Sequence, residues 1–136
     1  MGRKIRAFTL IELMIVVVII AVLASMVLPR FAGRSEEARK AVAKSDVEVN
    51  IATSLKLYSV DNGKYPDSSQ GLEALITPPA TATNWKGPYM DNHPKDPWGR
   101  PYQYRVPGTH NPKKYDLYSL GKDGLESDDD IRNWEN

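Results

Sequence analysis

The hydrophobic positions of the chain fall into three regimes. From Leu13 to Leu28 every residue is apolar except Ser25, and Phe8–Ile11, with Thr9 its sole polar member, extends that run toward the N-terminus. A helix needs about 20 such residues to cross a bilayer, so 8–28 is predicted as a membrane-spanning helix. Between Pro29 and Tyr65 there is no proline, and the pattern becomes a helical stripe. Ala38, Val42, Val49, Ala52 and Leu55 recur at helical steps, with Arg39, Lys40, Lys44, Glu48 and Lys56 largely outside the stripe. Ser35 is placed to cap this segment, with Glu36 and Glu37 in its first turn, and Asp61-Asn62-Gly63 stops it. Joined to the apolar run it makes a helix of about 50 residues, on the order of 75 Å at 1.5 Å per residue.

The third regime is short and broken. Nine of the ten prolines lie between Pro66 and Pro112. "SSQGLEALITPP" predicts a short helix with Leu72, Leu75 and Ile76 as its apolar face. Tyr102, Tyr104 and Val106 alternate with Gln103 and Arg105, as in a half-buried strand. "YDLYSLG" reads as its partner across "PGTHNPKK", and the aromatic side chains of "NWKGPYMDNHPKDPWGRPYQYRV" read as core. The fold class is α+β: a long N-terminal helix, part anchor and part amphipathic stalk, with a small antiparallel sheet as head.

Two residues interrupt the apolar run. A charge at the centre of a bilayer costs at least about 2.5–3.5 kcal/mol and marks a functional position by default, which makes Glu12 the first candidate site residue. Pro29 lacks a backbone donor and disturbs the preceding turn, so it marks where anchor becomes stalk. Arg3, Lys4 and Arg6 precede the run and favour a cytoplasmic N-terminus, although Arg30, Arg34, Arg39 and Lys40 follow it. A cleaved secretory signal peptide does not fit, because Leu28-Pro29-Arg30 lacks the small-residue cleavage site.

Composition narrows the chemistry. Lys+Arg 18 against Asp+Glu 17 leaves a net charge of +1 over 136 residues, with no basic stripe for nucleic acid. No cysteine is present, which excludes disulfides and thiolate metal sites. The two histidines, His93 and His110, lie in separate proline-flanked stretches and read as solvated loop residues. No Ser/His/Asp set, isolated carboxylate pair or phosphate-cradling glycine loop is legible, so the chain does not read as an enzyme.

"AFTLIELMIVVVIIAVLASMVLP" resembles the N-terminus of the type IV pilin superfamily, which includes the pseudopilins of type II secretion. The resemblance implies a leader, 1–7, removed by a prepilin peptidase between Ala7 and Phe8, and N-methylation of Phe8. Glycine usually precedes the cut in that family, and Ala7 replaces it here. It also implies that Glu12, one helical turn beyond the new amine, neutralises that amine in its own subunit or in a neighbour within a filament. "YSVDNGKYP", "QGLEAL", "DPWGRPYQY" and "YDLYSLGKDG" extend the resemblance over nearly the whole chain and narrow it to the major, G-type pseudopilins. The implied organisation is a leader at 1–7, a transmembrane and assembly helix at 8–28, and a periplasmic head at 29–136 that includes the amphipathic helix to about 61. The implied role is the major structural subunit of a pseudopilus in the bacterial inner membrane and periplasm. Its partners would be further copies of itself, the prepilin peptidase, minor pseudopilins and the inner-membrane assembly platform. The alternative at this point is a type IV pilin of a surface fibre for adhesion, motility or DNA uptake; the lack of cysteine favours the pseudopilin.

One cluster remains. "SLGKDGLESDDDIRNW" places Asp123, Glu126, Asp128, Asp129 and Asp130 within eight residues. The cluster is either a solvated acidic turn or a loop closed by a hard cation. Oxygen donors without His or Cys suit calcium, and the D-x-[DN]-x-[DN]-G order of an EF-hand is missing. Leu120 before the loop and Ile131 and Trp134 after it would clamp both ends. The G-type resemblance implies a calcium ion held by the side chains of Asp123, Asp129 and Asp130 and by the carbonyls of Leu120, Leu125 and Ser127. The loop is one residue shorter than in some relatives, which leaves the Leu125 and Ser127 positions open and makes Asp128 a further candidate.

Overall fold

The computed structural model describes residues 8–134, and 28–32 only by their backbone. The leader, with Ala7, lies outside the described residues. The chain forms two compact units that divide between Glu37 and Ala38.

The first element, α1 (Leu10–Ser45), is helical across Pro29 without interruption, in line with the absence of proline between Pro29 and Tyr65. Its segment Leu10–Val27 is long and apolar enough to cross a membrane, and none of its residues is buried within the chain. Ser35 therefore does not cap a new helix, because its backbone is already inside one. A π turn (Asp46–Asn50) follows, and then α2 (Ile51–Asn62). Gly63 ends α2 with φ +77°, and its N–H donates to the Ser59 carbonyl at 2.9 Å. That left-handed cap is the termination that Asp61-Asn62-Gly63 predicts.

The buried face of these helices differs from the expected stripe. Ala43, Val47, Ile51, Leu55 and Tyr58 are buried, whereas Val42 is 53% and Val49 56% exposed. Of the expected residues, Leu55 is buried, Ala52 is half-buried and Ala38 faces solvent. The π turn accounts for the register. Each four-residue step along a straight α-helix overshoots a full turn by about 40°, so two such steps would swing Ile51 away from Ala43. A wider turn with i→i+5 bonding absorbs the overshoot and keeps Ala43, Val47 and Ile51 on one line. The turn is also tied sideways, since the Tyr102 hydroxyl donates to Asp46 Oδ2 at 2.7 Å.

Against that face pack a 3₁₀ turn (Gly71–Leu75) and three antiparallel strands: β1 (Gln103–Arg105), β2 (Asp116–Ser119) and β3 (Ile131–Arg132), in the order β1-β2-β3. The register pairs Tyr104 with Leu117 and Ser119 with Ile131. The short helix expected near residue 72 is this 3₁₀ turn, and it buries Ala74 and Leu75 while Leu72 and Ile76 are half-buried. The sequence pattern does not mark β3 as a strand and offers Ile131 and Trp134 only as anchors of the loop. Two residues carry too little pattern to be read alone, and β3 exists because β2 offers it an edge. Asn133 continues the pairing: its N–H donates to the Leu117 carbonyl at 3.1 Å, and its Oδ1 accepts from the Leu117 N–H at 2.9 Å.

Tyrosines fill the space between helix and sheet. Tyr65 meets Tyr115 edge-on with ring centroids 4.9 Å apart, and Tyr58 meets Tyr89 at 5.7 Å. Their hydroxyls find acceptors at the margins, as buried tyrosines require: Tyr104 donates to the Pro66 carbonyl and Tyr89 to Asp61 Oδ2, each at 2.8 Å. Burial raises the Tyr104 and Tyr89 phenols, so both stay neutral donors, and it pushes that of Tyr115 up to about 12.

The turn between β1 and β2 is organised around Asp116, whose side chain is 4% exposed. Its carboxylate accepts from the N–H groups of Thr109 (2.7 Å), His110 (2.9 Å) and Asn111 (2.9 Å). His110 is thus more than a solvated loop residue. Its Nδ1 lies 3.1 Å from Asp116 Oδ2, and its ring stacks on Trp134 at 4.2 Å between centroids. His93 remains at the surface, 2.9 Å from Glu73 Oε2. Burial alone would raise the Asp116 carboxyl, but the His110, Asn111 and Thr109 N–H groups and the imidazole hold it below the usual carboxylate range. A depressed carboxyl stabilises the fold above its unfolded pKa of about 3.9, and that contribution is lost as pH falls through the folded value. Asp116→Asn is expected to destabilise the head by about 2–3 kcal/mol at neutral pH. It should also flatten the acid limb of a plot of melting temperature against pH; an acid limb identical to that of the wild type would disprove this role.

Candidate functional site

Two regions hold the site residues read from the sequence. At the start of α1 the first helical bond runs from the Leu13 N–H to the Thr9 carbonyl at 3.2 Å. Thr9 Oγ1 accepts from the Glu12 N–H at 3.3 Å, and Glu12 Oε2 accepts from the Thr9 N–H at 3.4 Å. This is a reciprocal capping box, T-x-x-E, which satisfies two of the four N–H groups that a helix start leaves without partners. It also sets a carboxylate at the positive end of the helix dipole, where a negative charge is stabilised. The Glu12 carboxylate therefore has partners within its own turn. Thr9 is the residue that sequence reasoning missed, although the Thr9-to-Glu12 spacing ahead of an apolar run is itself a helix-start signature. Pro29 lies inside α1 and is described only by its backbone.

The second region is the loop from Leu120 to Asp130, which connects β2 to β3. Gly121 and Gly124 both take positive φ, +64° and +72°. At Gly121 a side chain would be strained by the backbone, and a Cβ would sit 2.8 Å from Asp129 Oδ2. The two ends of the loop meet there. Asp123 Oδ1 accepts from the Leu125 N–H at 2.9 Å, while Asp123 Oδ2 lies 3.3 Å from Ser127 Oγ. Asp129 Oδ1 also contacts Ser127 Oγ, at still closer range. A hydroxyl carries one proton, so it can donate to only one of the two carboxylates that face it. The Ser127 bond, the largest influence on Asp129, holds that carboxyl below the usual range.

Asp130 is placed differently. Its side chain is 1% exposed, and neither carboxylate oxygen accepts a hydrogen bond. Arg132 Nη2 stands 3.8 Å from Oδ2 and donates to the Ser127 carbonyl. Burial pushes the Asp130 carboxyl up, partly countered by the Ser127 backbone contact and by Arg132. Among the other expected donors, the Leu120 carbonyl accepts from the Gly124 N–H at 3.3 Å, the Leu125 side chain faces solvent, and Asp128 is exposed. Among the described residues no three Asp, Glu or His side chains converge as a ready-made cation site. The loop brings Asp123 and Asp129 onto the Ser127 hydroxyl and leaves Asp130 buried without a close hydrogen bond.

A turn outside the loop fixes where it starts. Asp96, buried in "DPWGR", accepts from the N–H groups of Trp98 (3.1 Å) and Arg100 (2.8 Å), and from the Ser119 hydroxyl at 2.7 Å. Arg100 Nη1 donates to the Gly121 carbonyl at 2.9 Å and lies 3.3 Å from that of Lys122.

The model of the family described as "Type II secretion system (T2SS), protein G" matches residues 30–134, and that of the prokaryotic N-terminal methylation motif matches residues 2–28. The chain belongs to the type II secretion system protein G family. The type II secretion system core protein G of Pseudomonas aeruginosa is 48% identical over 142 residues, covering 98% of both chains. That of Escherichia coli K12 is 46% identical over 136 residues, covering 96% of this chain and 92% of the relative. The crystal structure of the major pseudopilin from the type 2 secretion system of enterohaemorrhagic E. coli superposes with a TM-score of 0.67 at 36% identity. It covers 75% of this chain and 87% of that one. The α+β, pilin-like architecture expected from the sequence is the architecture found.

Within this protein G family member, the methylation motif spans the segment that carries Thr9 and Glu12. Thr9→Val retains the shape of the side chain and removes the oxygen that caps Glu12. Loss of such a cap costs about 1 kcal/mol. Amide exchange at Glu12 in detergent micelles is therefore expected to quicken about fivefold relative to that at Ile19. Unchanged exchange would show that the capping box does not form in an apolar medium.

Proposed function

We propose that this chain is the major structural subunit of a type II secretion pseudopilus, polymerised through its N-terminal helix to drive protein export across the outer membrane. The observation that carries the reading is the pairing, in one chain, of a protein G head with a methylation-motif helix that is apolar along Leu10–Val27 and has none of those residues buried within its own chain. Such a helix needs lipid, and later neighbouring subunits, to cover it. In this reading a prepilin peptidase cuts between Ala7 and Phe8, and Phe8 is N-methylated. The chain then spans the inner membrane once, with the head in the periplasm, and it works with minor pseudopilins and the inner-membrane assembly platform. Its role is structural, not enzymatic, and involves no nucleic acid. Glu12 begins within the Thr9 capping box, and the new amine of Phe8, in its own subunit or a neighbour's, offers a further positive partner.

The chromosomal deletion is expected to trap secreted enzymes in the periplasm. Glu12→Ala expressed in that strain should reach the membrane and yet fail to restore secretion. Intact secretion with lost surface fibres would instead identify a type IV pilin.

We further infer that the loop holds calcium through the side chains of Asp123, Asp129 and Asp130 and the carbonyls of Leu120, Leu125 and Ser127. Two local features support this. Asp123 and Asp129 share a hydroxyl that can serve only one of them, and Asp130 is a buried carboxylate with no close hydrogen bond, whose nearest cation, Arg132, stands 3.8 Å away. A buried charge is costly unless it is both paired and hydrogen-bonded, and calcium would complete a compensation that Arg132 supplies only in part. Bound calcium would supply positive charge and oxygen-seeking coordination, and the chain would supply a loop already folded back at Gly121. Extracellular calcium modules bind at about 10⁻⁴–10⁻³ M, a range suited to a loop that closes after export. Saturating calcium should raise the melting temperature of the head by on the order of 10 °C, and Asp123→Ala should abolish that rise. A wild-type protein indifferent to calcium would refute the metal reading.

A further inference from the structure

The Leu120 carbonyl, named as a ligand in the calcium reading, accepts from the Gly124 N–H within the loop at 3.3 Å, and a contact from outside the loop also bears on its direction. Leu120 C=O and Gly121 N–H are the two ends of a single planar peptide. In a trans peptide they point in opposite directions, and the described cis bonds lie elsewhere, before Pro88 and Pro107. Whatever holds the Gly121 N–H therefore also sets the direction of the Leu120 oxygen. The holder is Ser119 Oγ, which accepts from the Gly121 N–H at 3.1 Å. Its own proton goes to Asp96 Oδ2 at 2.7 Å, and Ser119 is fully buried while Asp96 is 4% exposed. The other Asp96 oxygen is fixed by the Trp98 and Arg100 N–H groups. Through its side chain, Arg100 grips the Gly121 and Lys122 carbonyls, the two that separate Leu120 from Asp123. A single buried carboxylate in a separate turn thus controls both the peptide that presents the first expected ligand and the backbone leading to the second.

We propose that Asp96 and Ser119 are positioning residues for calcium: they aim the Leu120 carbonyl through the Gly121 N–H, and so set the affinity of the loop without touching the ion. This rests on the calcium reading above. Groups that orient metal ligands typically contribute about 10–100-fold to metal affinity when removed, whereas a purely structural hydrogen bond would lower stability and leave affinity unchanged.

The full-length chain in detergent micelles allows the two to be separated. Calcium titration calorimetry and calcium-free melting would be recorded for the wild type, Ser119→Ala, Asp96→Asn and Asp116→Asn. The expected result is a calcium Kd weakened about tenfold or more in Ser119→Ala and in Asp96→Asn. Asp116→Asn, destabilised elsewhere in the head, should keep the wild-type Kd. If Ser119→Ala fails to fold, Asp96→Asn, which conserves side-chain volume, carries the test. An unchanged Kd in the folded variants, or an equal weakening in Asp116→Asn, overturns the positioning role while leaving the calcium site standing. Absence of calcium binding by the wild type overturns both.

Discussion

The head of this protein depends on one helix face. Its strands are three, four and two residues long, and a sheet of that size is marginal in water without something to pack against. Val47, Ile51, Leu55 and Tyr58 supply the surface, and Leu75, Tyr102, Tyr115 and Leu117 close on it. Each large side chain fully buried there contributes about 1.5–3 kcal/mol, against a net stability of about 5–15 kcal/mol for a typical domain. Continuity of the face is therefore a strict requirement, and the π turn at Asp46–Asn50 is the local distortion that keeps it continuous. The aromatic residues suit this task because a tyrosine fills a large volume and still places its hydroxyl at an acceptor on the rim.

Around that core, three buried aspartates show three ways of holding a negative charge away from water. Asp116 is surrounded by backbone N–H groups and an imidazole, and its carboxyl is correspondingly depressed. Asp96 is met by two backbone N–H groups and a serine hydroxyl. Asp130 has Arg132 at 3.8 Å and a Ser127 backbone contact but no close hydrogen bond, and its carboxyl is raised by burial. The first two are complete within the protein and stiffen turns. The third is the least compensated of the three, and on that the calcium proposal rests. Glu12, exposed at the start of α1, shares with the first two a partner within the chain, since the capping box gives its charge the Thr9 N–H and a helix dipole in an apolar segment.

The parts of this fold that were legible in the sequence rest on local chemistry. Sixteen residues from Leu13 to Leu28 with one polar member read as a helix in any context. Gly63 stops α2 because a left-handed cap favours glycine, and Tyr102, Tyr104 and Val106 point to the core because strand side chains alternate. The misread parts are those in which two local solutions were nearly equal. Val42 and Val49 form as good an apolar stripe on paper as Ala43 and Val47. Ser35 followed by Glu36 and Glu37 looks like a helix start even where the helix has already begun. His110 looks like a loop histidine until Trp134, 24 positions later, stacks on it. In the candidate site, the carboxylates were legible as a cluster, but the Ser119–Asp96 bond was not, because it joins residues 23 positions apart whose types are ordinary in turns.

By itself the sequence determined the elements whose physics is complete within a few residues: the apolar helix, the T-x-x-E start, the glycine stop, the hairpin from Tyr102 to Ser119 and the acidic loop. It also carried the family, since the methylation motif and the protein G pattern are properties of residue order. The tertiary structure decided which helix face is buried, that the chain needs a π turn to present it, that Ile131–Arg132 is a strand, and which acidic residues are exposed or buried. Those outcomes depend on groups far apart in the chain. A buried surface or a buried charge has no defined cost until the fold determines what lies opposite it.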